Sequence, residues 1–201
     1  MSATLSARGQ QLLAAPRATL ERMLRDGAPP TWRHLEGWQF RGANHPRAMR
    51  ALGLRKFAKS FVSANSSWAA RQGNPLEPAG PTLGYGYNHP MVQNPDAAPW
   101  QTNGAPFGDY RVTPVNPCVR DNQYLHALLL DYGACANRRA PATRLLRDYV
   151  VALDARCDLL LGKAYAAIGN QRLPLTYFVL ERWRQVNDPS SAMLGPERPA
   201  T

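Results

Sequence analysis

The sequence predicts a mainly β fold of consecutive antiparallel strands, and two stretches carry that prediction. Between Leu145 and Arg182 stand three apolar runs: LLRDYVVAL, which ends at Asp154-Ala155-Arg156; DLLLGKAYAAI, which ends at Gly169-Asn170; and LTYFVLERW, which follows Pro174. An earlier run, YLHALLLDYG, adds a fourth. Short apolar runs rich in β-branched and aromatic residues, each closed by turn residues, read as neighbouring strands. A meander of this kind either packs its sheet on another layer or closes into a barrel.

The other elements follow in chain order. The segment MSATLSARGQQLLAAPRATLERMLRDG places Leu13, Leu20, Met23 and Leu24 on one helical face with Leu12 at its edge, so residues 1–28 are expected to hold an amphipathic α-helix. Pro16 is tolerated in a first helical turn, and the helix can begin there. Ala28-Pro29-Pro30 breaks the chain, and Trp32 to Phe40 (WRHLEGWQF) reads as a first strand ended by Gly42. Met49 and Leu52 suggest a short helix, and KFAKSFV a helix or an edge strand with Phe57 and Phe61 among lysines. From Ser63 to Pro117 glycine, proline and asparagine dominate, which predicts long ordered loops around the short strands GYGYN, MVQN and GDYRVTPV. Tyr85, Tyr87, Trp100, Phe107 and Tyr110 are too many aromatics for a disordered segment. Residues 29–186 thus form one domain, and residues 187–201 read as a flexible tail.

The totals narrow the class. A chain of 201 residues with 44% hydrophobic content supports one sizeable core. No apolar run approaches the ~20 residues of a membrane span, and the N-terminal segment lacks the apolar stretch of a signal peptide, so a cytoplasmic protein is expected. The net charge of +10 raises the question of nucleic acid. Of the 24 lysines and arginines only Lys56, Lys59 and Lys163 are lysines, and the arginines are scattered along the chain. The densest patch is Arg47, Arg50, Arg55, Lys56 and Lys59, and no nucleic-acid motif accompanies it, so no nucleic-acid partner is expected. Cys118, Cys135 and Cys157 have no CxxC spacing and read as inert thiols.

The pieces GWQFRG (Gly37 to Gly42), RKF (Arg55 to Phe57) and HPMVQNP (His89 to Pro95), followed by ALLLDYG, LLRDYVV, LLLGKAY and YFVLER, stand in an order that resembles the lipocalin-like barrels of the GXWXG type, a family of bacterial proteins. The resemblance covers residues 32–183, with Gly37 directly before Trp38 instead of one residue away. It implies an antiparallel β-barrel of roughly eight to ten strands whose lumen holds a small apolar ligand. It implies no catalytic residues. By analogy with lipocalin-type barrels, Trp38 on the first strand and Arg182 on the last would stack where the barrel closes, a structural cation–π contact worth ~0.5–2 kcal/mol.

Strand alternation sorts the remaining candidates by face. One face of the first strong run carries Tyr124, His126, Leu128, Leu130 and Tyr132, and the other Leu125, Ala127, Leu129 and Asp131. Asp148 opposes Tyr149; Lys163 and Tyr165 oppose Gly162, Ala164 and Ala166; Tyr177 and Glu181 oppose Phe178, Leu180 and Arg182. Both faces are apolar enough to be buried, so the lumen face stays open. Asp131, Asp148 and Lys163 are the candidate catalytic residues, with a buried Asp148–Lys163 ion pair as the structural alternative. Tyr149, Tyr165, Tyr177, His126 and Tyr132 are candidates for holding a substrate. His45 and His89 both sit in Asn-His-Pro settings without metal-ligand spacing, so no metal and no cofactor are expected. The functional expectation is a small hydrophobic ligand bound in the barrel, by a cofactor-independent isomerase or cyclase of specialised metabolism. The alternative is a carrier of a lipid, isoprenoid or haem, and a homodimer is compatible with either.

Overall fold

The protein is a closed barrel of eight antiparallel strands joined in sequence order, with short helices packed on its outside, the up-and-down arrangement of a lipocalin-like barrel. The computed structural model describes residues 4–45, 54–71, 81–93, 100–119, 122–138, 140–169 and 171–186. The expected helix at Met49 and Leu52 and the tail at 187–201 lie outside them. Strands β1 (Trp38–Asn44), β2 (Lys56–Ser63), β3 (Gly84–Pro90) and β4 (Phe107–Pro114) form one half of the wall. Strands β5 (Leu128–Asp131), β6 (Leu146–Ala152), β7 (Leu159–Ile168) and β8 (Gln171–Gln185) form the other. β8 pairs with both β7 and β1, which closes the ring.

Several local expectations change. The N-terminal helix is two helices, α1 (Ala7–Ala14) and α2 (Arg17–Asp26). Ala15 and Pro16 are extended between them, because a proline cannot supply the N–H that a continuous helix needs there. The WRHL half of the expected first strand is instead a helical turn, α3 (Trp32–Leu35), and β1 starts only after Gly37 at φ +76° turns the chain. KFAKSFV is neither a helix nor an edge: β2 is paired on both sides and almost wholly buried. MVQN contributes only a bridge from Met91 to Thr102, whereas GYGYN and GDYRVTP are wall strands. A further helical turn, α4, spans Ser67–Arg71.

Both faces of the wall are buried, for different reasons. The inner face holds Phe40, Phe57, Phe61, Tyr110, Leu130, Tyr132, Val150, Leu160, Phe178 and Leu180 in one aromatic-rich core. Room for these rings comes from glycines: a Cβ on Gly162 would stand 2.1 Å from the Phe178 ring, and one on Gly84 2.2 Å from Trp32. The outer face of β6, β7 and β8 (Tyr149, Val151, Leu161, Tyr165, Tyr177 and Val179) packs under Leu12, Leu20 and Leu24 of α1 and α2. Near α4, Trp68 stacks on Tyr87 of β3 at 4.2 Å. One end of the lumen is plugged by Trp32 and Leu35 of α3. The opposite rim carries Leu146, Ala166 and Leu175, all half-buried.

Candidate functional site

A charged cluster stands in the barrel interior among these rings. Lys59 on β2, Asn88 on β3 and Asp148 on β6 point inward, and Tyr132 joins them from the turn after β5. Alternation sets this up: KFAKSFV puts Phe57, Lys59 and Phe61 on one face, so the lysine enters the lumen between two phenylalanines. Lys59 Nζ lies 2.9 Å from Asp148 Oδ2 and donates to Asn88 Oδ1 at 3.0 Å and to the Tyr132 hydroxyl. Tyr132 in turn donates to Asp148 Oδ2 at 3.0 Å, and Asn88 Nδ2 donates to the Gly108 carbonyl at 3.1 Å. The ammonium is also ringed by Tyr110, Tyr132, Phe57 and Phe178, with centroids 5.0–5.4 Å away. Gly108 is at φ +62°, so β4 bends where Asn88 reaches its carbonyl.

The electrostatics follow from burial. Lys59 and Asp148 are each only 3% exposed. Desolvation lowers the Lys59 pKa from its usual value, with the Asp148 charge opposing that shift. Burial and then the Asp148 charge push the Tyr132 and Tyr110 hydroxyls well above their usual range, so both stay neutral donors. Tyr110 is satisfied by the Ser60 carbonyl at 2.9 Å. Asp148 Oδ1, by contrast, is buried with no hydrogen-bond partner. A carboxylate oxygen in that position is costly unless a donor meets it.

Of the residues singled out in the sequence, only Asp148 and Tyr132 belong to this cluster. Lys163 is on the opposite side of the wall, so the expected Asp148–Lys163 pair does not form. The two strands pair Asp148 with Ala164 and Lys163 with Tyr149, and alternation sends Lys163 outward. There Lys163 meets Glu21 of α2 at 2.7 Å and the Tyr124 hydroxyl at 2.8 Å, while Tyr177 and Tyr124 also donate to Glu21. Tyr165 lies 3.0 Å from Tyr124, hydroxyl to hydroxyl. Tyr149 packs edge-on to Tyr165 and donates to Asn122 at 3.3 Å. These groups fasten α2 to the barrel and do not face the lumen.

Tyr124 takes a left-handed φ of +50°, and β5 begins only at Leu128, so the alternation read through Tyr124 and His126 stops short of them. His126 Nε2 contacts the Leu24 carbonyl at 2.9 Å. Asp131 faces outward and caps the turn after β5 through Gly133 and Ala134 N–H groups, with Arg147 at 3.1 Å. The Arg182 guanidinium stands 4.5 Å over the Trp38 ring and also donates to Asp158 at 2.6 Å.

Sequence reasoning missed Lys59, Asn88 and Tyr110. The signal for Lys59 was present as a lysine alternating with Phe57 and Phe61, but it was read as part of a basic surface patch.

Of the two Asn-His-Pro histidines, only His89 stands in a strand. His45 directly follows β1, 3.2 Å from the Ala15 carbonyl, and His89 lies within β3, facing outward beside Tyr87. Burial and then nearby Arg184 hold the His89 pKa down at about 4. Among the described residues no three His, Cys, Asp or Glu side chains converge as metal ligands. No described helix is long and apolar enough to cross a membrane. No protein-family model matches the chain, and no curated protein shows significant similarity to it.

Proposed function

We propose that the barrel binds one small, mainly apolar molecule bearing a hydrogen-bond donor, and that Lys59, Asp148 and Tyr132 move a proton on it without a cofactor. The observation that carries this reading is Asp148 Oδ1, a buried carboxylate oxygen with no partner beside a lysine of lowered pKa. Lys59 and Tyr132 both occupy Oδ2, which leaves Oδ1 to accept from a ligand hydroxyl, enol or amide. Asp148 Oδ1 would take a proton from one ligand atom, and Lys59, with the neutral Tyr132 hydroxyl hydrogen-bonded beside it, would return one at another, which is the requirement of an isomerisation or a cyclisation. The surrounding rings would exclude water and press a flexible apolar chain into one shape. The rim of Leu146, Ala166 and Leu175 is the side from which the ligand would enter. The resemblance of the strand order to GXWXG-type barrels supports an apolar ligand, and a cytoplasmic enzyme of specialised metabolism suits this chemistry.

Native mass spectrometry of the purified protein, alone and with a panel of apolar alcohols and ketones, is the test. The expected result is one organic mass per chain, methyl resonance shifts at Leu146 and Ala164, and loss of both in Asp148→Asn. A bound molecule recovered with its bonds rearranged establishes catalysis, and one recovered unaltered makes the barrel a carrier. If no organic mass binds and those methyls do not move, the proposal is wrong.

A further inference from the structure

The β7–β8 hairpin runs past the rest of the wall at the open rim. β1 follows β8 only as far as Phe178 and β6 joins β7 at Ala166, so among the described residues Ala167, Ile168 and Gln171 pair only within the hairpin. Gly169 turns the tip at φ +57°, and a Cβ there would meet nothing within 4 Å. Register sets Leu146, Ala166 and Leu173 in one row, and alternation puts Ile168 on the same face as Ala166. Leu146 shares the face of inward-pointing Asp148, so this row prolongs the apolar lining of the lumen beyond the rim. Leu145 stands beside it, at the end of the helical turn Pro141–Leu145 that leads into β6.

The overhang is apolar where a surface is usually polar. Of the four large hydrophobic side chains exposed among the described residues, three are here: Ile168 at 53%, Leu145 at 48% and Leu173 at 45%. The stretches that build it, residues 132–147 and 159–180, contain no aspartate or glutamate. Arg138 and Arg144 of the first stretch are exposed. Apolar side chains on a projecting tip with cations beside them match an anionic bilayer, whose headgroups take the charges and whose acyl boundary takes the side chains. A second copy fits less well, because it would bring these arginines against their own kind in a chain of net charge +10.

We propose that the β7–β8 tip docks this protein on an anionic lipid surface, with Ile168, Leu173 and Leu145 entering the acyl boundary and Arg144 and Arg138 on the headgroups. Docking by the tip alone does not depend on the lumen chemistry. One consequence does rest on that reading: the rim through which an apolar ligand would enter the barrel then faces the bilayer in which such a ligand dissolves.

The test is flotation of the full chain with vesicles of phosphatidylcholine alone and of phosphatidylcholine mixed with phosphatidylserine, at low and at physiological salt. Binding to the mixed vesicles is expected, weakened by salt and much weaker on phosphatidylcholine alone. Ile168→Ser/Leu173→Ser is expected to lower the partition coefficient at least about tenfold on mixed vesicles, and Arg144→Glu about tenfold. All these side chains are exposed, so an unchanged thermal midpoint verifies that each variant is folded. Asp148→Asn is expected to bind vesicles like the parent, so failure of the lumen reading and failure of docking are told apart. The proposal is overturned by no flotation with mixed vesicles, by binding indifferent to phosphatidylserine, or by undiminished binding of the folded double serine variant. Self-association of the parent that the double serine variant abolishes, without vesicle binding, would assign the tip to a second copy and overturn it equally.

Discussion

At the scale of single residues the Lys59–Asp148 pair dominates. Withdrawing two charges from water is costly, and a pair of this kind holds only while both partners and their hydrogen bonds remain. Lys59→Met leaves the buried carboxylate without its cation and should destabilise the fold by about 3–5 kcal/mol. The double variant Lys59→Met/Asp148→Leu should recover much of that, and urea unfolding midpoints of the two variants check both statements. The pair also sets a pH dependence. Because burial lowers the folded pKa of Lys59 below its ordinary 10.5, the unfolded chain holds that proton more tightly, so this group's contribution to stability rises with pH from the folded value up to 10.5. Above about pH 10 the direction reverses, since Tyr110 and Tyr132 ionise in the unfolded chain while burial keeps them protonated in the fold. Stability followed by urea midpoint should therefore climb with pH towards Lys59's ordinary 10.5 until tyrosine ionisation turns it downward, and the climb should vanish in Lys59→Met.

At the scale of elements, α2 is held by Glu21 as much as by its leucines. Burial opposes ionisation of Glu21, but the hydrogen bonds from Lys163, Tyr177 and Tyr124 outweigh it and bring the carboxyl down to about 2. A lowered acid pKa stabilises the folded state above the ordinary 4.5, and that stabilisation disappears as pH falls through 2. On a helix with solvent on one side the contribution is about 1–2 kcal/mol after screening. Protection of α2 amides from hydrogen exchange, corrected for the intrinsic rate, should fall between pH 4.5 and 2, and Glu21→Gln should show the lowered protection already at neutral pH. Leu24, fully buried beneath the same helix, should cost about 2–4 kcal/mol on replacement by alanine, read from the thermal midpoint.

This helix also explains what the sequence withheld. The runs that became β6, β7 and β8 were legible because each is apolar throughout and closed by a turn. The lumen face was not, because α1 and α2 cover the outer face and make it as apolar as the inner one. Lys163 therefore read as the interior lysine and Lys59 as a surface one, and only the cross-strand register tells inside from outside. Trp32 to Leu35 was misread for a different reason: four residues show no helical period, so an aromatic run beside β1 passes for its beginning.

At the scale of the whole molecule, closure depends on β8, the longest strand. It pairs with β7 on one side and β1 on the other, and Arg182 lies across Trp38 and Phe40 near the plugged end. Arg182→Ala removes that contact and the bond to Asp158, and a loss of about 1–3 kcal/mol is expected, with faster exchange of β1 amides than of β6 amides. The same strand anchors the start of the chain. Glu181 accepts from Ser6 N at 3.0 Å and from the Ser6 hydroxyl, and Arg41 of β1 lies 3.0 Å from it. During synthesis, α1 and α2 thus leave the ribosome well before the strands β7 and β8 on which they dock. Until those strands emerge, Leu12, Leu20 and Leu24 have no wall to cover, and the nascent chain presents a greasy stripe to whatever chaperone waits at the exit.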